Sequence, residues 1–114
     1  ELGAVDIINI KLMKTGGLSR AIEIANITAQ YQAECMIGCM LEGSIAVAGA
    51  AHLASAKAQQ ISKIDLDGPA LGQYDPVQGG VEFSGPQIRL SESPGLGIES
   101  ITGLELITNG VWPA

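Results

Sequence analysis

Three short apolar segments alternate with two helical patterns along the first two thirds of the chain, and the strands recur about every 26 residues, the spacing of β-α-β units. This alternation constrains the fold more than any other feature. Antiparallel strands need only a tight turn, whereas a helix between each pair of strands makes them parallel and the crossovers right-handed. Three parallel strands cannot close a barrel, which takes eight strands and about 250 residues. Left open, they expose two apolar edges. The expectation is that these units belong to a larger barrel, or that a partner covers the edges.

The strands are read over Val5 to Leu12, Glu34 to Leu41 and Ser62 to Asp67. In the first, Ile7, Asn9 and Lys11 share one face and Ile8, Ile10 and Leu12 the other. In the second, Cys35, Ile37, Cys39 and Leu41 alternate with Met36, Gly38 and Met40; in the third, Lys63, Asp65 and Asp67 alternate with Ile64 and Leu66. The first helix is predicted from Leu18 to Tyr31, with Leu18, Ala21, Ile22, Ala25 and Ala29 along one stripe. The second, Ser44 to Lys57, is apolar nearly all round and rich in Ala, which lets it lie close to a sheet; Ser44 is the expected N-cap. His52, within it, reads as a packed or edge histidine.

From Gly68 the pattern changes. Val81-Glu82-Phe83 and Gln87 to Leu90 flank Gly85-Pro86 as a hairpin, and Pro94-Gly95-Leu96-Gly97 is a further break. A weak strand signal lies around Leu104 to Ile107. The expected division is residues 1–70, strand-helix units, and residues 71–114, a Gly/Pro-rich tail.

Composition excludes some partners. With a formal charge of −6 and 6 scattered Lys and Arg, the chain lacks the clustered positive charge that nucleic acid binding requires. The most apolar run, Ile45 to Ala56, is far short of the ~20 residues of a membrane span. A cytoplasmic location is expected, with no nucleic acid or membrane partner. The first residues, Glu1-Leu2-Gly3, carry no Met, so a fragment or processed piece is expected. Cys35 and Cys39 lie four apart on one predicted strand, or ~13 Å, too far for a disulfide and therefore reduced thiols.

The predicted strands bring their last side chains to matching heights: Lys11 on the first, Cys39 and Leu41 on the second, Asp65 and Asp67 on the third. C-terminal strand ends are where β/α barrels hold their active sites. A lysine can move a proton there, and paired carboxylates can hold a cation. Two plainer readings stand beside this one. Lys11 can be an ion-pair partner of Asp65, and Asp65-x-Asp67 before Gly68-Pro69 can be turn chemistry. The Lys14-Thr15-Gly16-Gly17 turn can also cradle a phosphate at a helix start, although neither glycine-loop spacing is present.

Three stretches in order, Asn9-Ile10-Lys11-Leu12-Met13-Lys14-Thr15-Gly16-Gly17, Glu34 to Glu42, and Lys63-Ile64-Asp65-Leu66-Asp67-Gly68-Pro69, closely resemble the enolase superfamily. The likeness is to its muconate-lactonizing subgroup and, within that, to the dipeptide epimerases (L-Ala-D/L-Glu epimerase type). Gly79-Gly80-Val81 and Pro94-Gly95-Leu96-Gly97-Ile98 are similar to the same family, so the resemblance covers residues 3–98. It implies a partial barrel, strands six to eight of a (β/α)7β barrel, with a C-terminal β tail returning to a capping domain. It implies an isomerase that epimerises dipeptides by 1,1-proton transfer through an enediolate, with Mg2+ as cofactor. Lys11 then matches the acid/base lysine of the sixth strand, Cys39 and Leu41 match pocket positions on the seventh, and Asp65 and Asp67 match the pair that binds the substrate ammonium.

The resemblance also implies that the Mg2+ ligands (third to fifth strands) and the partner lysine (second strand) precede this chain. The isolated chain is therefore expected to be inactive. Cycloisomerases and o-succinylbenzoate synthases of the same superfamily share the lysine without needing the ammonium pair. A phosphate-binding module, and a non-catalytic α/β chain that associates through its open edges or as a homo-oligomer, are the readings from other classes.

Overall fold

The computed structural model describes residues 3–104. Strand β1 (Ile7–Lys11) is followed by a single helical turn, α1 (Leu12–Thr15), and by helix α2 (Leu18–Gln30). Strand β2 (Glu34–Gly38), helix α3 (Ser44–Ala56) and strand β3 (Ile61–Asp65) complete two β-α-β units. The strands form one parallel sheet in the order β1-β2-β3, with Lys11 opposite Gly38 and Gly38 opposite Asp65.

Helices cover one face of the sheet. Ile10, Cys35 and Ile37 point into them and are buried with Ala21 and Ala25 of α2 and Val47 and Ala50 of α3. Six alanines among the buried core residues let both helices approach closely, as the composition of α3 implied. The opposite face carries Asn9 and Lys11, Met36 and Gly38, and Lys63 and Asp65, aligned by register. The period-two split of the first strand is therefore correct.

Every strand is shorter at its C-terminal end than the apolar pattern implies. Leu12 begins a helical turn, so residues after Gly38 have no ladder partner on β1. Cys39 keeps a single strand-like bond, donating its amide to Asp65 O at 3.2 Å, and the chain then turns. Cys39 and Leu41 thus leave the expected alternation, and Leu41 is 86% exposed. Strand β3 ends at Asp65, and Asp67 sits at the N-cap of a short helix, α4 (Gly68–Leu71), with Pro69 in its first turn. Ser44 is not the N-cap of α3; Gly43 is, and the Ser44 hydroxyl donates to Asp75.

The remainder is β. Strand β4 (Val77–Gly79) pairs with β7 (Ile98–Ile101), and β5 (Val81–Ser84) with β6 (Gln87–Leu90) as the expected hairpin. Val81, Phe83, Ile88 and Leu90 pack against the core beside α3. Apart from Leu104, the weak strand signal at Leu104 to Ile107 lies outside the described residues. No helix among the described residues is long and apolar enough to cross a membrane. Both cysteines are free and buried.

Candidate active site

The polar groups singled out in the sequence gather at the C-terminal edge of the sheet. Lys11 is half-buried and reaches across β2, donating from Nζ to the carbonyl oxygen of Cys39 at 2.9 Å. Residue 38 makes this path available. A Cβ on Gly38 would stand 3.3 Å from Lys11 Cε and 2.9 Å from Asn9 Oδ1. The need for glycine here is spatial, because its backbone is not in the left-handed region. Gly38 is a site residue that strand periodicity does not reveal, since a glycine in a strand signals close approach without saying by what.

Asp65 and Asp67 are both exposed and both border an open cavity of about 400 Å3 that Phe83, Pro86 and Ile88 help to line. Asp65 stands two strands from Lys11 at the same height, so their backbones are about 10 Å apart. The ion pairs among the described residues are Arg20–Glu23 and Lys63–Glu34, so Lys11 and Asp65 are not paired. A gap of that size between a cation and an anion can receive a small ligand carrying both charges.

Cys39 lies between them and is 8% exposed. Its Sγ accepts the Gly68 amide at 3.3 Å, and its thiol faces Asp67 Oδ1 at 4.0 Å. Leu41 lies on the rim of a separate cavity of about 260 Å3 with Gly43, Pro69, Leu71 and Tyr74. The structure thus groups Lys11, Cys39, Asp65 and Asp67 and sets Leu41 beside them.

Glu42 was not singled out as a site residue, yet it is a buried carboxylate at this edge. Its Oε1 accepts the Met40 amide at 3.3 Å, and its Oε2 has no partner among the described residues. The signal in the sequence was a lone acid between apolar neighbours and a helix start.

Two donors of the phosphate reading, the glycine amides, are already engaged. Gly16 and Gly17 have positive φ, and both amides donate to Leu12 O, at 3.1 and 3.0 Å. No three His, Cys, Asp or Glu side chains among the described residues cluster to hold a metal.

The chain as a whole is similar to known proteins. The chain is 54% identical over 101 residues to the L-Ala-D/L-Glu epimerase of Clostridium acetobutylicum, spanning 89% of this chain and 28% of that protein. A substrate-liganded complex of the L-Ala-D/L-Glu epimerase from Bacillus subtilis superposes with a TM-score of 0.81 at 40% identity, over 86% of this chain and 27% of that one. The dipeptide epimerase of Enterococcus faecalis V583, complexed with Mg and the dipeptide L-Leu-L-Tyr, has a TM-score of 0.81 at 46% identity, over 86% and 28%. The chain thus spans little more than a quarter of the length of the relatives it matches. Its α/β fold is that of these enolase-superfamily epimerases, and its residues 1–101 match the family model described as enolase C-terminal domain-like. With this match over most of its length, the chain belongs to the enolase C-terminal domain-like family.

Proposed function

We propose that this chain is the C-terminal part of a Mg2+-dependent dipeptide epimerase, with Lys11 as one of its proton-transfer groups and Asp65 and Asp67 as its ammonium-binding pair. The observation that carries the reading is the register Lys11–Gly38–Asp65, which sets an amine and a carboxylate on one sheet face about 10 Å apart. In a dipeptide the free ammonium and the Cα of the second residue lie on neighbouring units, whose Cα atoms are about 3.8 Å apart. Asp65 and Asp67 bind the ammonium, and the bound dipeptide then presents its second Cα toward Lys11. Lys11 carries a proton to or from that carbon on one face, and a second base outside this chain serves the other face. Cys39 backs the same pocket through its backbone, and Leu41 stands beside it on the adjoining cavity.

On this reading β1, β2 and β3 are the sixth to eighth strands of a (β/α)7β barrel. Residues 1–70 are barrel, and residues 71–114 return toward a capping domain. The open edges of β1 and β3 are the surfaces through which the rest of the barrel, or another chain, associates. The Mg2+ is held by residues outside this chain, and a cytoplasmic setting suits a dipeptide substrate. The ammonium pair favours the epimerase over a cycloisomerase or o-succinylbenzoate synthase.

The test uses the full-length protein with L-Ala-L-Glu in D2O, following deuterium at Cα of the second residue and formation of the other epimer by NMR. The expected result is incorporation with epimerisation, and the epimerisation is lost in Lys11→Ala, whatever exchange the second base sustains on its own face. Epimerisation that persists in Lys11→Ala sinks the assignment.

A further inference from the structure

The residue that joins these groups is Cys39, through four separate contacts. Its carbonyl oxygen receives Lys11 Nζ at 2.9 Å, and its amide donates to Asp65 O at 3.2 Å. Its Sγ accepts the Gly68 amide at 3.3 Å, and its thiol is turned to Asp67 Oδ1 at 4.0 Å. The backbone of Cys39 thus ties the proton-carrying lysine to the end of β3, and its side chain ties the same point to Asp67 and Gly68, just beyond β3.

The side-chain contacts are chemically specific. Gly68 is buried, and its amide lies in the first turn of α4, where helical amides have no partner within the helix. Sulfur is the acceptor that satisfies it. A buried amide left without a partner costs about 1–3 kcal/mol. A thiol also has one proton to donate, and Asp67 is the acceptor it faces. Asp67 is itself exposed and has no side-chain capping bond to α4, so among the described residues the thiol, 4.0 Å away, is the hydrogen-bonding neighbour of its carboxylate. The sulfur is 8% exposed, which leaves little of it for a ligand to touch.

We infer that Cys39 is a positioning residue: it sets the Asp67 carboxylate, and through its own backbone the Lys11 ammonium, in one rigid frame, and does so without touching the substrate. This rests on the ammonium-pair reading given above. It assigns the side chain of Cys39 a part in recognising the ammonium group of the substrate.

The experiment compares Cys39→Ala, Cys39→Ser and Cys39→Val in the full-length enzyme. It measures kcat and KM for L-Ala-L-Glu, and Ki for the analogue in which hydrogen replaces the ammonium group. Cys39→Ala is expected to raise KM about tenfold while changing the analogue's Ki less than twofold, the size of one lost hydrogen bond to a charged group. Cys39→Ser, which keeps a donor and an acceptor, is expected to return KM to within about threefold of wild type, and Cys39→Val, which keeps only volume, is not. If Cys39→Ala does not fold, the Ser and Val pair decides. Equal rises in KM and Ki, an unchanged KM in Cys39→Ala, or rescue by Val as good as by Ser would each overturn the inference. Asp67→Asn run alongside separates the two levels. If it raises KM without raising Ki while Cys39→Ala does not, the inference alone fails. If it fails to discriminate, the ammonium-pair reading fails and takes the inference with it.

Discussion

The Lys11 ammonium lies 2.9 Å from the Cys39 carbonyl oxygen, having crossed β2 above a residue with no side chain, Gly38. An amine held by a carbonyl on the neighbouring strand has a defined height and direction above the sheet. Three parallel strands, one glycine and one backbone oxygen are enough to aim it.

In the full-length enzyme, Lys11→Ala is expected to lower kcat by about 100- to 10,000-fold, the usual worth of a positioned acid/base group. Lys11→Arg keeps the charge but not a proton it can give up, and is expected to fall as far. Circular dichroism should remain native for both, because Lys11 is only half-buried.

Gly38→Ala should damage activity more than stability. The new Cβ meets the ends of two flexible side chains, Asn9 and Lys11, and these can move aside. Moving them displaces the amine, and a shift of about 1 Å can cost up to about 100-fold in rate. A thermal melt within a few degrees of wild type alongside a clearly reduced kcat is the expected pair of results. Wild-type kcat would mean that the crossing over residue 38 does not matter.

Gly68→Ala should behave in the opposite way. Its Cβ would lie 2.7 Å from Glu42 O and 3.0 Å from Met40 O, both backbone atoms that cannot step aside. Overpacking of this kind costs about 1–3 kcal/mol, to be read from denaturant unfolding. The loop after β2 should loosen with it, visible as faster hydrogen exchange at Cys39 and Met40.

Asp67→Asn is expected to raise KM for L-Ala-L-Glu about tenfold or more, the worth of a hydrogen bond to a charged group. Affinity for the analogue without the ammonium should change little. Parallel loss for both compounds would count against Asp67 as an ammonium ligand.

Glu34 supplies a pH test remote from the site. Hydrogen bonds from Lys63 and then Ser62, with the Lys63 charge, hold its carboxyl below the ordinary value of 4.5. A carboxyl that folding lowers stabilises the fold above its unfolded pKa, and the contribution is lost as pH falls through the folded value. Glu34→Gln should therefore melt slightly below wild type at pH 7, and the gap should close well below pH 4.5. The pair is solvent-exposed, with about half of each side chain open to water, so added salt should shrink the gap as well.

Much of this protein was legible in its sequence. Period-two alternation around Ile8 and Ile10, the small-residue stripe of α3 and the Gly85-Pro86 turn each answer to local chemistry, so they fixed the order of elements, the parallel sheet and the hairpin. Lys11, Asp65 and Asp67 could be named as candidates because polar residues at the ends of apolar strands stand out. The strand ends could not be read, because Gly38 stops pairing only where β1 has already turned into α1, a condition set by a segment 26 residues away. Nor could the part played by Gly38 beneath Lys11, the contacts of Cys39 with Asp67 and Gly68, or the release of Ser44 from its capping role to Asp75. Local propensity decides which residues form a strand or a helix. Which groups meet at the strand ends is decided by register and packing between segments distant in the chain, and only the tertiary structure holds that information.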